Sequence, residues 1–322
     1  MNMKMVENVL AGDFRSIARL ITLVENGAAE AVPYLRALFP HTGRCLSIGV
    51  TGAPGVGKST LVDRLAGFYR HQEKKVGIIA VDPTSPFTGG AILGDRIRMQ
   101  SRSLDTGTFI RSMATRGSLG GLSRATADAL LILDAAGFEV VMIETVGVGQ
   151  DEVEVARTAQ MTLVLLVPGM GDDVQTMKAG IMEIGDIFII NKSDHAGVER
   201  TETELNALLA ISNRPDGWKP AVVKTVASEG MGIEECIRAI ESWDQRQKGS
   251  HLQHERALQL QKERLMDIVR SEIQRSLLRD RRTAERLDQL ARLLDERKID
   301  PYSAAEQLLA QLPGSMSGRK DL

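Results

Sequence analysis

One glycine-rich segment has the residue types and spacing of a phosphate site. Residues 51–60 read TGAPGVGKST and contain the pattern G-x-x-x-x-G-K-[ST]. Glycines let backbone N–H groups turn towards phosphate oxygens, and the start of a helix adds partial positive charge. The lysine of this pattern reaches the β- and γ-phosphates, and the hydroxyl after it ligates Mg²⁺. The predicted phosphate-binding residues are Gly52, Ala53, Pro54, Gly55, Val56, Gly57, Lys58, Ser59 and Thr60.

Three acidic residues stand where they could hold that metal ion. Asp82 directly follows the apolar run VGIIAV, Glu144 directly follows VVMI, and Asp95 stands at the predicted start of a helix. A lone Asp before a helix usually caps it. Since Mg²⁺ on phosphates still needs carboxylate or water ligands, we expect one or both of Asp82 and Asp95, together with Ser59 and Glu144, to supply metal ligands.

A second motif could read a nucleotide base. The segment NKSD, with Asn191, Lys192 and Asp194, follows the apolar run IFII. The Asp194 carboxylate can accept hydrogen bonds from both N1–H and the exocyclic amine of guanine, and adenine lacks that donor pair. Ala227, in TVASEG, is the candidate to offer its backbone N–H to the guanine carbonyl. The motif predicts bound GTP or GDP rather than ATP.

The stretch ETVGVGQD, residues 144–151, bears on the rate of hydrolysis. Gly147 can donate its backbone N–H to the γ-phosphate. Many GTPases have a glutamine directly after this glycine, and it orients the attacking water. Here Val148 occupies that position, and its apolar side chain cannot orient a water molecule. Glu144 and Gln150 are the alternatives for placing the water. We expect Lys58, Asp82 and Glu144 to support slow hydrolysis by the protein alone.

The elements that position these motifs alternate along residues 43–247. Seven apolar runs, separated by helical segments, are typical of a parallel sheet buried on both faces. This predicts an α/β fold with one doubly wound, mostly parallel P-loop domain. Residues 1–42 are predicted as an N-terminal helical segment, in which Ile17, Leu20, Ile21 and Val24 repeat at helical spacing.

Residues 248–322 are predicted as a C-terminal helical arm. Leu258, Leu265, Val269 and Ile273 recur at helical spacing among mixed charges. The arm has too few residues for a core of its own. Its apolar stripe must therefore cover either the main domain or another subunit, as in a homodimer.

The composition is that of an ordinary soluble globular protein, with 43% hydrophobic and 25% charged residues. The net charge of −2 gives no reason to expect nucleic acid or an anionic membrane as partner. Cys45 and Cys236 match no CxxC pattern, which fits a reducing compartment. No apolar run approaches a membrane span, and MNMKMVENVLAGDF does not resemble a signal peptide. We expect a cytoplasmic protein.

Together the motifs resemble those of the GTPases that accompany adenosylcobalamin-dependent acyl-CoA mutases, the methylmalonyl-CoA mutase chaperones. Older usage calls them LAO/AO transport system ATPases, and they are P-loop GTPases. The resemblance rests on GAPGVGKST, VDPTSPFTGGAILGDRIRM, ETVGVGQDEVEVA and GDDVQTMKAGIMEIGDIFIINKSD in this order. It implies a Mg²⁺-dependent GTPase that gates cofactor delivery to a mutase and protects or reactivates it.

The resemblance also implies roles for single residues. Lys58, Ser59, Asp82, Asp95 and Glu144 match positions that serve phosphate binding, magnesium binding or hydrolysis. The loop at 169–178 resembles one that responds to the mutase, and its matching positions are Asp172, Gln175 and Lys178. Of these, Lys178 is the candidate catalytic cation brought in by the partner. The C-terminal arm resembles one that forms homodimers.

Three other functions compete with this interpretation. A GTPase that hands a metal ion to another protein would need a His- or Cys-rich cluster, which the sequence lacks. An amino-acid transport ATPase or kinase would prefer ATP, against which Asp194 argues. A scaffold would bind GTP without turnover.

Overall fold

The computed structural model describes residues 2–82, 105–114, 121–145, 158–169, 184–211, 214, 217–248, 251–279 and 281–310. The chain divides into two compact units, Met1–Glu263 and Arg264–Leu322. The first contains the sheet and the helices around it, and the second contains helices. The domain boundaries expected at 42/43 and 247/248 stay predictions.

All seven apolar runs form strands of one sheet, which confirms the predicted α/β fold. Its order is β3-β2-β4-β1-β5-β6-β7, and each neighbouring pair is parallel. The carboxyl ends of all the strands therefore lie at one edge. The strands are β1 (Leu46–Gly52), β2 (Val76–Asp82), β3 (Thr108–Ala114), β4 (Val140–Thr145), β5 (Met161–Leu166), β6 (Ile187–Asn191) and β7 (Ala221–Thr225).

Helices cover both faces of this sheet. In β2, Ile78 and Ile79 belong to different core clusters, and both are fully buried. Alternate side chains of a strand point to opposite faces, so a strand buried on both sides must be apolar throughout. The helices described in this unit are α1 (Met3–Leu10), α2 (Phe14–Glu25), α3 (Val32–Leu38), α4 (Lys58–His71), α5 (Gly121–Ala135), α6 (Val198–Ile211) and α7 (Ile233–Gln247), followed by the first part of α8 (His251–Arg279).

The N-terminal helices share a core with the sheet. The helix expected from Ile17, Leu20, Ile21 and Val24 is α2, and all four side chains are buried. They lie in one cluster with apolar residues of α5 and of strands β2 to β4. On the other face, α4 and α7 pack against the sheet.

A buried carboxylate fixes the beginning of β6. Asp186 has no exposed surface, and it accepts hydrogen bonds from both terminal nitrogens of Arg256 (2.9 and 2.8 Å), from Arg214 (3.0 Å) and from the Thr162 amide (2.9 Å). The indole of Trp218 donates to the Asp186 carbonyl at 2.8 Å. Removing one partner of a buried charge pair typically costs about 3–5 kcal/mol. Asp186 therefore secures β6 at the edge opposite its carboxyl end.

The second unit continues α8 and adds α9 (Arg281–Asp295) and α10 (Pro301–Leu309). The Asp300 carboxylate caps α10 by accepting from the amides of Tyr302 and Ser303, both at 3.0 Å. Along α8, Leu265, Val269 and Ile273 are 40–60% exposed. None of the helices in the described ranges combines the length and the apolar character that a membrane crossing requires.

Candidate nucleotide-binding site

The glycine-rich loop joins β1 to α4, as its sequence pattern predicts. β1 ends at Gly52, and α4 begins at Lys58. Gly57 has φ +99°, and a Cβ on it would lie 2.3 Å from Nδ2 of Asn191. Gly52 has φ +141°, and a Cβ there would lie 2.4 Å from the carbonyl oxygen of Leu165 in β5. Both positions therefore need glycine, because a side chain would separate the loop from the neighbouring strand ends.

A buried cation lies within this loop. Lys58 is 7% exposed, and its Nζ donates to the carbonyls of Gly52 at 2.7 Å and Ala53 at 3.1 Å. Burying an ammonium away from water is costly unless oxygen atoms surround it. The carbonyls hold the charge at the N-terminus of α4, where backbone N–H groups also favour an anion. The arrangement suits a phosphate group.

Ser59 and Glu144 meet beside this cation. The Ser59 hydroxyl donates to Oε1 of Glu144 at 2.5 Å, and Glu144 is 1% exposed. Glu144 lies near the carboxyl end of β4, paired with Val50 of β1 and Ala80 of β2. A hydroxyl and a carboxylate are the oxygen donors that Mg²⁺ prefers, so these residues fit the ion. Asp82 ends β2 at the same edge, and its side chain lies outside the described part.

Asn191 connects the phosphate loop to the loop after β7. It is 3% exposed, and its Nδ2 donates to the carbonyl of Val56 at 2.7 Å. Its Oδ1 accepts from the Thr225 hydroxyl and the Ala227 amide, both at 3.0 Å. One side-chain amide thus ties three segments of the chain together.

Lys192, the next residue of NKSD, contacts the same loop, and Asp194 follows two residues later. Lys192 has φ +55°, and its Nζ donates to the carbonyl of Gly55 at 2.9 Å. The side chain of Asp194 is 53% exposed and lies 3.9 Å from Nε2 of His195. The carboxylate is thus accessible to a ligand.

The loop after β7 contains contacts that the motifs do not reveal. The Ala227 amide, expected at the guanine carbonyl, donates to Asn191. Its role at the base stays a prediction. The guanidinium of Arg64, on α4, donates through Nε to the Ala227 carbonyl at 2.9 Å and through Nη2 to the Ser228 carbonyl. Nothing in the local sequence around Arg64 signals this contact, since an arginine on a helix surface is common.

Several candidate residues cannot be placed in the site. They lie outside the described residues, so their roles stay predictions. They are Asp95, Gly147, Val148, Gln150, Asp172, Gln175 and Lys178.

The described ranges contain no group of three or more His, Cys, Asp or Glu residues that could hold a metal ion. Both cysteines are buried. Burial raises the pKa of Cys236 to about 12. Burial, with Asp134 nearby, also raises the pKa of Cys45 well above its ordinary value. Neither thiol is therefore disposed to form the thiolate that a metal ion would bind.

Comparisons with known proteins agree on one family. The family model described as "Methylmalonyl Co-A mutase-associated GTPase MeaB" matches residues 17–282. The chain is 46% identical to a Pyrococcus abyssi protein over 97% of both chains. It is 32% identical to the "Methylmalonic aciduria type A homolog, mitochondrial" of Caenorhabditis elegans, over 95% of this chain and 82% of that protein. A crystal structure of a LAO/AO transport system kinase superposes with a TM-score of 0.71 at 28% identity, covering 95% of each chain. The resemblance seen in the motifs is confirmed.

The Asn191 contacts lead to a prediction for nucleotide binding. In Asn191→Ala, the Val56 carbonyl and the Ala227 amide lose their partner, and both loops lose a restraint. Because an unsatisfied buried group costs about 1–3 kcal/mol, we expect GDP to bind roughly 10- to 100-fold more weakly by calorimetry. Thr225→Val is the matched control, because it removes a single donor, and it should weaken binding less. If Asn191→Ala bound GDP with wild-type affinity, the hydrogen bonds of Asn191 would not be needed for nucleotide binding.

Proposed function

The chain belongs to the methylmalonyl Co-A mutase-associated GTPases, which are P-loop enzymes that hydrolyse GTP to GDP and phosphate, and we propose that it serves an adenosylcobalamin-dependent acyl-CoA mutase as a chaperone. It would gate cofactor delivery to the mutase and protect or reactivate it. The family match supports the choice of partner. The observation that carries the nucleotide part of the proposal is the set of hydrogen bonds made by Asn191, because they join the cradle around Lys58 to the segment that carries Asp194. A site with these two halves suits a guanine nucleotide.

For hydrolysis, we assign charge stabilisation to Lys58 and metal binding to Ser59 and Glu144, completed by Asp82 and Asp95. Mg²⁺, when bound, neutralises charge on the phosphate oxygens. The buried Lys58 ammonium adds a fixed positive charge at the N-terminus of α4, which needs no reorganisation as the phosphoryl group transfers. The backbone N–H of Gly147 would contact the γ-phosphate, and Glu144 or Gln150 would place the water.

The metal assignment predicts a specific effect of Ser59. Ser59→Ala removes one oxygen ligand, so GTP should bind roughly tenfold more weakly in Mg²⁺, with little change in EDTA. Ser59→Thr keeps the hydroxyl and should retain the magnesium effect. Fluorescent-nucleotide titrations with and without the metal measure both. An equal loss in EDTA would assign Ser59 to nucleotide contact alone.

The base assignment predicts a change of specificity. In Asp194→Asn, an amide N–H replaces one carboxylate oxygen, so it can donate to the 2-oxo group of xanthine and loses an acceptor for guanine. We expect GTP affinity to fall at least about tenfold and XTP to become the better ligand. His195→Ala, which removes the neighbouring imidazole, should leave the base preference unchanged.

Competition between unlabelled nucleotides measures this preference. If Asp194→Asn still preferred GTP, the assignment of Asp194 would be wrong. If ATP outcompeted GTP on the wild-type protein, a transport ATPase or kinase would replace the GTPase chaperone as the better explanation.

The fold offers a way for nucleotide state to reach a partner. β1 leads into the phosphate loop, and its two neighbours in the sheet are β4 and β5. Residues 146–157 follow β4, and residues 169–178 come shortly after β5. A ligand changes the binding of a partner only through contacts that differ between two states. Segments that follow the two strands beside β1 are candidates for such contacts. We propose that the mutase engages these segments and that Lys178 enters the site in the complex.

Purified methylmalonyl-CoA mutase tests this proposal. We expect the chain to form a complex with it that depends on whether a non-hydrolysable GTP analogue or GDP is bound, and the mutase to accelerate GTP turnover. Since a cation at the transferring phosphate is worth about 10³–10⁵ in rate, Lys178→Ala should remove most of that acceleration, and Lys178→Arg should keep part of it. Unchanged acceleration in Lys178→Ala would contradict the role of Lys178. Absence of any complex would contradict the choice of partner.

We further propose that the C-terminal arm forms a homodimer. Leu265, Val269 and Ile273 succeed each other every four residues along α8, and each is at least 40% exposed. Such a stripe gains free energy when a second apolar surface covers it. Light scattering on the free protein, run beside the mutase experiment, should give about twice the 35.1 kDa of one chain. A mass of one chain would exclude the dimer.

A further inference from the structure

The loop after β7 is a compact turn whose backbone groups are largely paired. The Glu229 amide donates to the Val226 carbonyl at 3.0 Å, and the Gly230 amide donates to the Ala227 carbonyl at 3.3 Å. The Ala227 amide donates to Asn191. Within the described part of the chain, the Ser228 amide between them has no acceptor. Ser228 is exposed, so this donor is open to a ligand.

Arg64 fixes the peptide groups around this open donor. Its Nε and Nη2 donate to the carbonyls of Ala227 and Ser228, which are consecutive along the chain. A guanidinium presents its donors in a rigid planar fork, so two bonds from one fork set the relative orientation of the two peptide planes. A single ammonium, with one flexible point of attachment, could not do this.

One of these peptide groups carries the open donor itself. The Ala227 carbonyl and the Ser228 amide belong to the same peptide bond, so the charged donor on its oxygen polarises and orients its N–H. Hydrogen bonds to charged groups are stronger than neutral ones, and linked bonds strengthen one another. Arg64 thus acts on both the direction and the strength of the Ser228 N–H.

We propose that Arg64 is a positioning residue for the 6-oxo group of guanine, with the Ser228 N–H as the donor that meets it. The inference rests on the proposed guanine site. It divides base recognition between two groups: Asp194 reads the N1–H and the 2-amino group, and the loop held by Arg64 reads the carbonyl. Arg64 also lies on the helix that begins with Lys58 and Ser59, so α4 contacts both the phosphate loop and the base loop.

A second arginine of α4 provides the matched control. Arg70 donates to Asp105 at 2.7 and 3.0 Å and to the Lys74 carbonyl at 2.7 Å, and it makes no hydrogen bond to the base loop within the described residues. It resembles Arg64 in chemistry and lies on the same helix. A methionine at either position keeps an unbranched apolar stem and removes the donors.

The test compares GDP with 6-thio-GDP, in which sulfur replaces the 6-oxo oxygen and accepts hydrogen bonds poorly, while N1–H and the amine remain. Calorimetry gives both dissociation constants for each protein. We expect the wild type to prefer GDP by roughly tenfold, a typical effect of one good hydrogen bond. In Arg64→Met that preference should shrink to roughly threefold or less, because the donor is no longer held. Arg70→Met should keep the wild-type preference.

The ratio of the dissociation constants for 6-thio-GDP and GDP distinguishes this role from a general stabilisation of the fold by Arg64. If Arg64→Met weakened both ligands equally, or neither, Arg64 would not position the carbonyl contact, and the inference would fail. Should that variant not fold, Arg64→Lys serves instead, and an unchanged ratio there would also overturn it. A wild-type protein that bound adenine nucleotides better than GDP would refute the proposed function itself.

Discussion

The site depends on the contact between Gly57 and Asn191. A Cβ on Gly57 would lie 2.3 Å from the Asn191 side chain, so only glycine lets the amide reach the Val56 carbonyl at 2.7 Å. The strand order makes this approach possible, because β6 lies one strand beyond β5, the neighbour of β1. Gly52 likewise lets the backbone pass close to the carbonyl of Leu165 in β5, where a Cβ would clash. The motifs predicted to bind phosphate and base are therefore built as one unit, although they are far apart in sequence.

Both ends of β6 are secured by a buried polar residue. Asp186 precedes the strand and holds two arginines, and Asn191 ends it and holds two loops. Between them the strand is apolar and fully buried. Hydrophobic burial is not directional and would allow small shifts of a strand along its axis, whereas hydrogen bonds at both ends do not. The position of Asp194, three residues after Asn191, follows from this double restraint.

The sequence was sufficient where a local pattern carries the signal. Seven apolar runs predicted seven strands, and the spacing of Ile17, Leu20, Ile21 and Val24 predicted α2. The motif G-x-x-x-x-G-K-[ST] predicted the turn from β1 into α4, because its glycines and its helix start are adjacent along the chain.

The sequence was insufficient where a contact joins distant residues. Arg64 and Ala227 are 163 positions apart, and nothing near either residue encodes their hydrogen bond. For the same reason, the motif assigned Asn191 to the base without revealing that it braces the phosphate loop. The place of Ala227 in TVASEG predicts a contact of its amide with the base, and only the fold shows that Asn191 accepts from this amide.

These ties also limit where a nucleotide-dependent change can arise. Helix α4 carries Lys58, Ser59 and Arg64, and its side chains Leu61, Val62 and Leu65 are fully buried against the sheet. Moving α4 would disrupt close-packed contacts at a cost of several kcal/mol. Segments outside this packed unit can change position at a lower cost. The proposed partner contacts, which come after β4 and β5 on either side of β1, therefore involve parts of the chain other than α4.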